Sequence, residues 1–178
     1  ALDFILIAQE CGYVALPAPL VHIALVAVPL LDQLSGDSGE AIKQQWLPAI
    51  AEGRAKVMVG LEQNVFVEDA HTADLLILQK GQALYALTPD QFSYTLNESV
   101  DPSRKLYSIS WQTSDANLIA EGGQAQCLID GAMNRGALGV AAEALGLSQR
   151  MVDMTVSYTA DRQQFGKPIG SFQAVKHL

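Results

Sequence analysis

Positive charge is scarce in this chain: eleven Lys and Arg stand against nineteen Asp and Glu over 178 residues, a formal net charge of −8. The cations are scattered, which argues against a phosphate-tracking surface and makes nucleic acid a poor partner. Cysteine is nearly absent. Cys11 and Cys127 both fall in apolar helical patterns, with no Cys-x-x-Cys pair and no secreted disulfide framework. They read as buried free thiols of a cytoplasmic protein. Long apolar runs are missing too. The longest near-continuous one, Leu20 to Leu31, contains His22 and Pro29 and is too short to span a bilayer. No positively charged leader or cleavage site precedes it, and there is no repeat or low-complexity tract. His22 has no partner at metal-ligand spacing, so it reads as a satisfied histidine, and no metal site is expected. The chain opens at Ala1 without methionine, inside an apolar stretch (Leu2, Phe4, Ile5, Leu6), and stops at His177-Leu178 soon after a helix begins. It is expected to be an internal fragment of a longer protein.

What is present is ordinary globular material, 49% hydrophobic and 17% charged, enough for a real core. Residues 2 to 15 have helical periodicity, with Phe4, Ile7, Ala8 and Cys11 on one side. Pro17-Ala-Pro19 starts a second helix, apolar nearly all round and so expected to be buried. Pro29 inside it predicts a kink or an early end. Ser35-Gly-Asp-Ser-Gly39 reads as a loop. A third helix begins at Glu40, carrying Ile42, Trp46 and Leu47 before Pro48, and Gly53 closes the region.

The period changes after Lys56. Val57–Leu61, Leu75–Leu78 and Leu84–Leu87 are strand-length apolar runs, while Phe92, Tyr94, Leu96 and then Tyr107, Ile109, Trp111 alternate with polar residues. Lys80-Gly81-Gln82, Thr88-Pro89-Asp90 and Asp101-Pro102-Ser103 read as turns. Five or six strands are predicted, and Gly122-Gly123 marks the return to helix. The fold class is α+β in three parts: residues 1–54 helical, 55–121 a small β domain, and 122–178 the start of a second helical region.

That last region is one long helical pattern from near Gln124, with Leu138, Ala141, Leu145, Val152 and Val156 as its apolar face. Glycines 131, 136, 139 and 146 interrupt it, each costing up to about 1 kcal/mol in a helix interior. Close helix–helix approach at Gly139 and Gly146 is the expected return. Glu143, set among alanines, reads as a candidate buried carboxylate serving an interhelical hydrogen bond. Gly166 and Pro168 predict the helix end, and Ser171 is placed to cap a new helix. Arg162 and Phe165 then fall on the last turn of one helix and Gln173 on the first turns of the next. An arginine fork, an aromatic ring and an amide so placed could hold a planar, phosphorylated ligand. The alternative is a solvated cation at a helix C-terminus beside a core phenylalanine.

The stretch Tyr158-x3-Arg162-x-Gln164-Phe165-Gly166-x-Pro168-Ile169-x2-Phe172-Gln173-x3-His177 resembles the signature of the acyl-CoA dehydrogenase family. The order helical, β, helical agrees with that family's architecture over most of the chain. The resemblance implies that Arg162, Phe165 and Gln173, with Gln164 in the same motif, reach across a subunit interface to the FAD of a neighbouring subunit. It further implies a homo- or hetero-oligomer, an acyl-CoA substrate oxidised at its α,β carbons, and electron-transferring flavoprotein as the acceptor. In that chemistry a carboxylate removes the α-proton, the flavin accepts the β-hydride, and hydrogen-bond donors polarise the thioester carbonyl.

Three departures qualify the likeness. The family's Thr-Glu-Pro…Gly-Ser-Asp and Trp-Ile-Thr-Asn-like loops, which embrace the flavin, are replaced by Gly60-Leu-Glu62-Gln-Asn-Val-Phe-Val-Glu-Asp-Ala70, where only Glu62 keeps a position. The family's Asp-x-x-Arg substrate contact is replaced by Asn134-Arg135-Gly136-Ala137. No catalytic base can be named in this chain, since the family's glutamate is expected beyond Leu178 and the other known position is Gly136. The pattern resembles the reduced subunits of heteromeric acyl-CoA dehydrogenases. Two functions stay open: a flavin-dependent dehydrogenase subunit, or a non-catalytic subunit that completes a partner's FAD site. An unrelated hydrolytic reading of Glu68, Asp69 and His71 lacks a nucleophile elbow or metal spacing.

Overall fold

The computed structural model describes residues 2–177; Ala1 and Leu178, which the expected part boundaries include, lie outside the described residues. The chain separates into two compact units, one running Pro17–Gly139 and the other joining the chain's start up to Leu16 with the residues from Val140 onward. The architecture is α+β, with strands between 57 and 121 and helices on both sides of them in sequence.

The larger unit is built on two sheets. β1 (Val57–Gly60), β3 (Leu75–Lys80), β4 (Ala83–Leu87) and β7 (Leu118–Glu121) form a mixed sheet in the order β1-β3-β4-β7. β2 (Val67–Glu68), β6 (Leu106–Trp111) and β5 (Phe92–Asn97) form the second, antiparallel sheet. Alternation along β1 and β3 explains the uninterrupted apolar runs. Val57, Val59, Leu75 and Ile77 enter a core shared with Leu30, Leu31, Leu34 and the helical residues Leu128 and Ile129. Met58, Leu76 and Leu78 enter a second core with Val67, Leu87 and Tyr107. A sheet covered on both faces needs apolar side chains at every position. The expected strands all form. Val67–Glu68 and Leu118–Glu121 are additional, because neither is long enough to show a period of two.

The helices differ from expectation in instructive ways. The apolar segment after Pro19 is a π-helix over His22–Ala27, in which the Val28 N–H reaches back to Ile23, followed by α2 (Val28–Asp32) with Pro29 in its first turn. Pro29 therefore does not end the segment: the register shift puts it where a missing N–H is tolerated. α3 spans Gly36–Ala51, so most of the expected loop is helix. Ser35 is the extended N-cap, Asp37 lies in the first turn where the helix dipole favours a carboxylate, and the helix runs past Pro48.

α4 (Gly122–Asp161) crosses from one unit into the other. In the larger unit its covered face is Ala125, Leu128, Ile129 and Ala132, with Gly139 against Val21 and Leu25. In the smaller unit α1 (Leu2–Tyr13) meets α4 through glycines. A Cβ on Gly146 would fall 1.8 Å from the Gln9 carbonyl oxygen, and one on Gly12 would fall 2.0 Å from that of Glu143. No side chain fits there. Tyr13 donates to Asp153 at 2.9 Å, and Arg150 lies over the Tyr13 ring at 5.3 Å. The expected apolar face, Leu138, Leu145, Val152 and Val156, is 48–61% exposed. The seam is one position round the helix, on the small residues, because backbones approach closest where side chains are shortest. Likewise Ile7 is exposed while Ala8 and Cys11 are buried. Cys127 is exposed and both thiols are free, which corrects the expectation of two buried cysteines.

Candidate functional site

The helix carrying the motif stops at Asp161, earlier than Gly166 suggests, and the chain then folds into a miniature hairpin. β8 (Gln163–Gln164) pairs antiparallel with β9 (Lys167–Pro168), and the Ile169 N–H donates to the Arg162 carbonyl at 2.8 Å. Phe165 and Gly166 form the two-residue turn, with φ of 55° and 79°. Positive φ at both positions is what a type I′ turn requires, and its twist matches that of the flanking strands. Gly166 adopts this without cost; a bulky residue such as Phe165 does so only under strain. Phe165 is therefore not on a helical turn, whereas Arg162 closes the helix, its N–H donating to the Tyr158 carbonyl at 2.9 Å. Pro168 supplies the fixed φ that turns the chain onward.

After the hairpin, a 3-10 turn (Ile169–Ser171) leads into α5 (Gln173–Lys176), whose N-cap is Phe172 and not Ser171. The Ser171 hydroxyl donates instead to the Pro168 carbonyl at 2.7 Å. Gln173 keeps its expected place at the start of the helix. Phe165 is 93% exposed, and its ring meets Phe172 edge to face, with centroids 6.3 Å apart. Phe165 is thus not core. Arg162, Gln164 and Gln173 are exposed, and among the described residues no hydrogen bond or ion pair engages their side chains. The four motif residues sit within twelve consecutive positions on one exposed bend.

Sequence reasoning gave no role to Lys167, whose Nζ lies 4.3 Å from the Phe172 ring centroid. The signal was in the charge distribution: past Asp161 the chain has three cations and no Asp or Glu.

The other sequence candidates are engaged within the larger unit. Glu62 accepts the Gly81 N–H at 3.0 Å, and its own N–H donates to Gln79, so it braces the β3–β4 turn. Glu68 receives Arg104 through two bonds of 2.8 and 2.7 Å. His71 lies against the Tyr107 ring at 5.0 Å, and Asp69 adopts a left-handed conformation beside it. Glu68, Asp69 and His71 thus point to three different tasks, and no metal-holding cluster occurs among the described residues. Arg135 turns to the backbone, its Nε donating to the Leu25 carbonyl at 3.2 Å. His22 is structural as well: Nε2 accepts the Val59 N–H at 3.0 Å, and burial pushes its pKa down, against a weaker upward pull from Glu68. Surface hollows of about 350 and 210 Å³ include none of the four motif residues in their linings. No helix among the described residues is long and apolar enough to cross a membrane.

These features can be set beside known proteins. Residues 127–178 match the family model described as acyl-CoA dehydrogenase, C-terminal domain. The acyl-CoA dehydrogenases IpdE2 of Mycobacterium tuberculosis and Mycolicibacterium smegmatis are 31% and 33% identical to the chain over 175 residues, 98% of this chain and 49% and 50% of theirs. The chain therefore spans about half the length of these relatives. Butyryl-CoA dehydrogenase from Megasphaera elsdenii has the same fold, with a TM-score of 0.77 at 20% identity, covering 96% of this chain and 54% of that one. With the hairpin motif, the helical–strand–helical order and these likenesses in agreement, the chain belongs to the acyl-CoA dehydrogenase family.

Proposed function

We propose that the chain works as a subunit of an FAD-dependent acyl-CoA dehydrogenase, oxidising an acyl-CoA thioester at its α,β carbons with a flavin shared across a subunit interface. The observation that carries this reading is the hairpin bend: a guanidinium with no partner among the described residues and a strained, exposed aromatic ring at its tip. Strain of this kind persists where surrounding structure and function demand it. Arg162 would take a pyrophosphate oxygen pair through its fork, Phe165 would cover an apolar ring face, and Gln164 and Gln173 would hydrogen-bond polar edges. The flavin, when bound, supplies the hydride acceptor.

In the chain's own β domain the segment from Gly60 to Ala70 stands where the family's flavin-embracing loops would be. Glu62 and Glu68, carboxylates on that segment, are held by Gly81 and Arg104. This supports a cofactor housed mainly by another polypeptide, and it favours one second reading: a non-catalytic subunit that completes its partner's site. No residue of this chain is assigned as the base. The division at 1–54, 55–121 and 122–178, cytoplasmic location, and transfer of electrons to electron-transferring flavoprotein belong to the same proposal.

Purification alone and with a complete partner subunit tests it. The chain alone is expected colourless, and the assembly yellow with FAD. Bleaching of that flavin by an acyl-CoA thioester, lost on mutation of this chain's hairpin, supports the dehydrogenase reading. Bleaching indifferent to the hairpin leaves only the structural one. A yellow preparation of the chain alone contradicts the shared-cofactor arrangement.

A further inference from the structure

We infer that Lys167 is a second cation for the pyrophosphate of the shared dinucleotide, acting beside Arg162; this rests on the reading of the hairpin given above. The first support is charge. The stretch after Asp161 carries Arg162, Lys167 and Lys176 and none of the nineteen acidic residues of a chain whose net charge is −8. In an otherwise acidic protein, this local excess is where an anion is drawn.

The second support is placement. Gln164 pairs with Lys167 across the hairpin, and the Ile169 N–H closes on the Arg162 carbonyl. Side chains alternate along a strand, and cross-strand partners share a face. Gln164 and Lys167 therefore share one face of the hairpin, with Gln163 and Pro168 on the other, and the bond from Ile169 holds Arg162 at the hairpin's open end. The third support is confinement. Lys167 Nζ rests over the Phe172 ring, whose partner is Phe165. A free surface lysine surrenders rotamer entropy when it binds an anion; here the aromatic pair has already restricted it. A bridge of two phosphate groups offers oxygens to both cations, a fork on one side and a compact point charge on the other. A single phosphate has less to offer the pair, so FAD should gain more than FMN from the presence of Lys167.

The test is titration of the flavin-free, full assembly with FAD and with FMN, followed by flavin fluorescence at low and high salt. Lys167→Met keeps the stem on the Phe172 ring and removes the charge. FAD affinity is expected to fall about tenfold, as for loss of one charge-assisted contact, with a shallower salt dependence and a smaller change for FMN. Lys167→Arg should restore most of the loss. Unchanged FAD affinity and salt dependence in Lys167→Met would overturn the assignment, and so would an equal loss in Lys176→Met, which would make the effect a general field. Arg162→Ala separates the two levels: if it alone weakens FAD, only the role of Lys167 falls. If neither variant matters, the shared-cofactor reading falls with it.

Discussion

Arg135 Nε donates to the Leu25 carbonyl at 3.2 Å, and Leu25 lies four residues before Pro29. Leu25 belongs to the π-helical segment His22–Ala27, which runs up to Pro29, a residue with no N–H to donate. The arginine thus donates to the carbonyl of a buried residue in that segment, from a helix more than a hundred residues away in sequence. Arg135→Ala is expected to lower unfolding stability by about 1–3 kcal/mol, the cost of leaving a buried carbonyl unsatisfied. Denaturant unfolding of the two proteins measures it, and an unchanged midpoint would mean that water replaces the guanidinium.

The crossing of α1 and α4 makes a sharper steric prediction. Gly146→Ala places a methyl group into the Gln9 backbone and should destabilise by about 1–3 kcal/mol or more, as overpacking does. Gly123→Ala, near the start of the same helix and facing open space, should be neutral or stabilising by up to about 1 kcal/mol. Thermal melts of the pair distinguish a packed crossing from a general intolerance of α4 to substitution.

His22 should make stability depend on pH below neutrality. Its Nε2 accepts the Val59 N–H, which only the neutral ring can do, and burial lowers its pKa below the ordinary value of 6.5. Below about 6.5 the unfolded chain binds a proton that the folded one resists. The contribution is therefore complete above about 6.5 and declines as pH falls from there towards the depressed folded pKa. Unfolding midpoints from neutral to mildly acidic pH should show this slope in the parent protein and a weaker one in His22→Gln. Equal slopes would locate the pH dependence elsewhere.

Phe165 sets hairpin stability against cofactor binding. Asn is tolerated at positive φ and Asn-Gly is the favoured pair for this turn, so Phe165→Asn should stabilise the hairpin by roughly 0.5–1 kcal/mol while weakening FAD in the assembly. Hydrogen exchange at the Ile169 amide and an FAD titration read the two effects. A gain in both would show that the strained ring has no ligand to meet.

Arg162→Ala should cost about 1.5–3 kcal/mol of FAD affinity in the assembled protein, the range for charge-assisted hydrogen bonds. An unchanged dissociation constant would return Arg162 to the role of a solvated cation just past a helix.

The legibility of this chain tracks the range of the forces involved. Five strands between Val57 and Trp111 were readable because alternation and apolar runs are local consequences of which faces are covered. The motif from Tyr158 to His177 was readable as a family pattern, and its residues were found at an exposed bend. Its shape was not. A helix running through Arg162 to Gly166 is locally reasonable, and only the hairpin hydrogen bonds from Gln163 to Ile169, beside a glycine able to take positive φ, make the earlier stop preferable. The partners of Glu62 and Glu68 were not legible: the Gly81 N–H and Arg104 lie 19 and 36 residues away in sequence.

The order of elements, the apolar content of the central sheet and the residue types gathered after Tyr158 are dictated by the linear chain, since periodicity and turn chemistry act between near neighbours. Packing in three dimensions decided which side of α4 is its seam, that Arg135 serves the Leu25 carbonyl, and that Phe165 stands out on a strained turn. Each of those depends on how closely distant backbones can approach, and that distance is a property of the packed molecule.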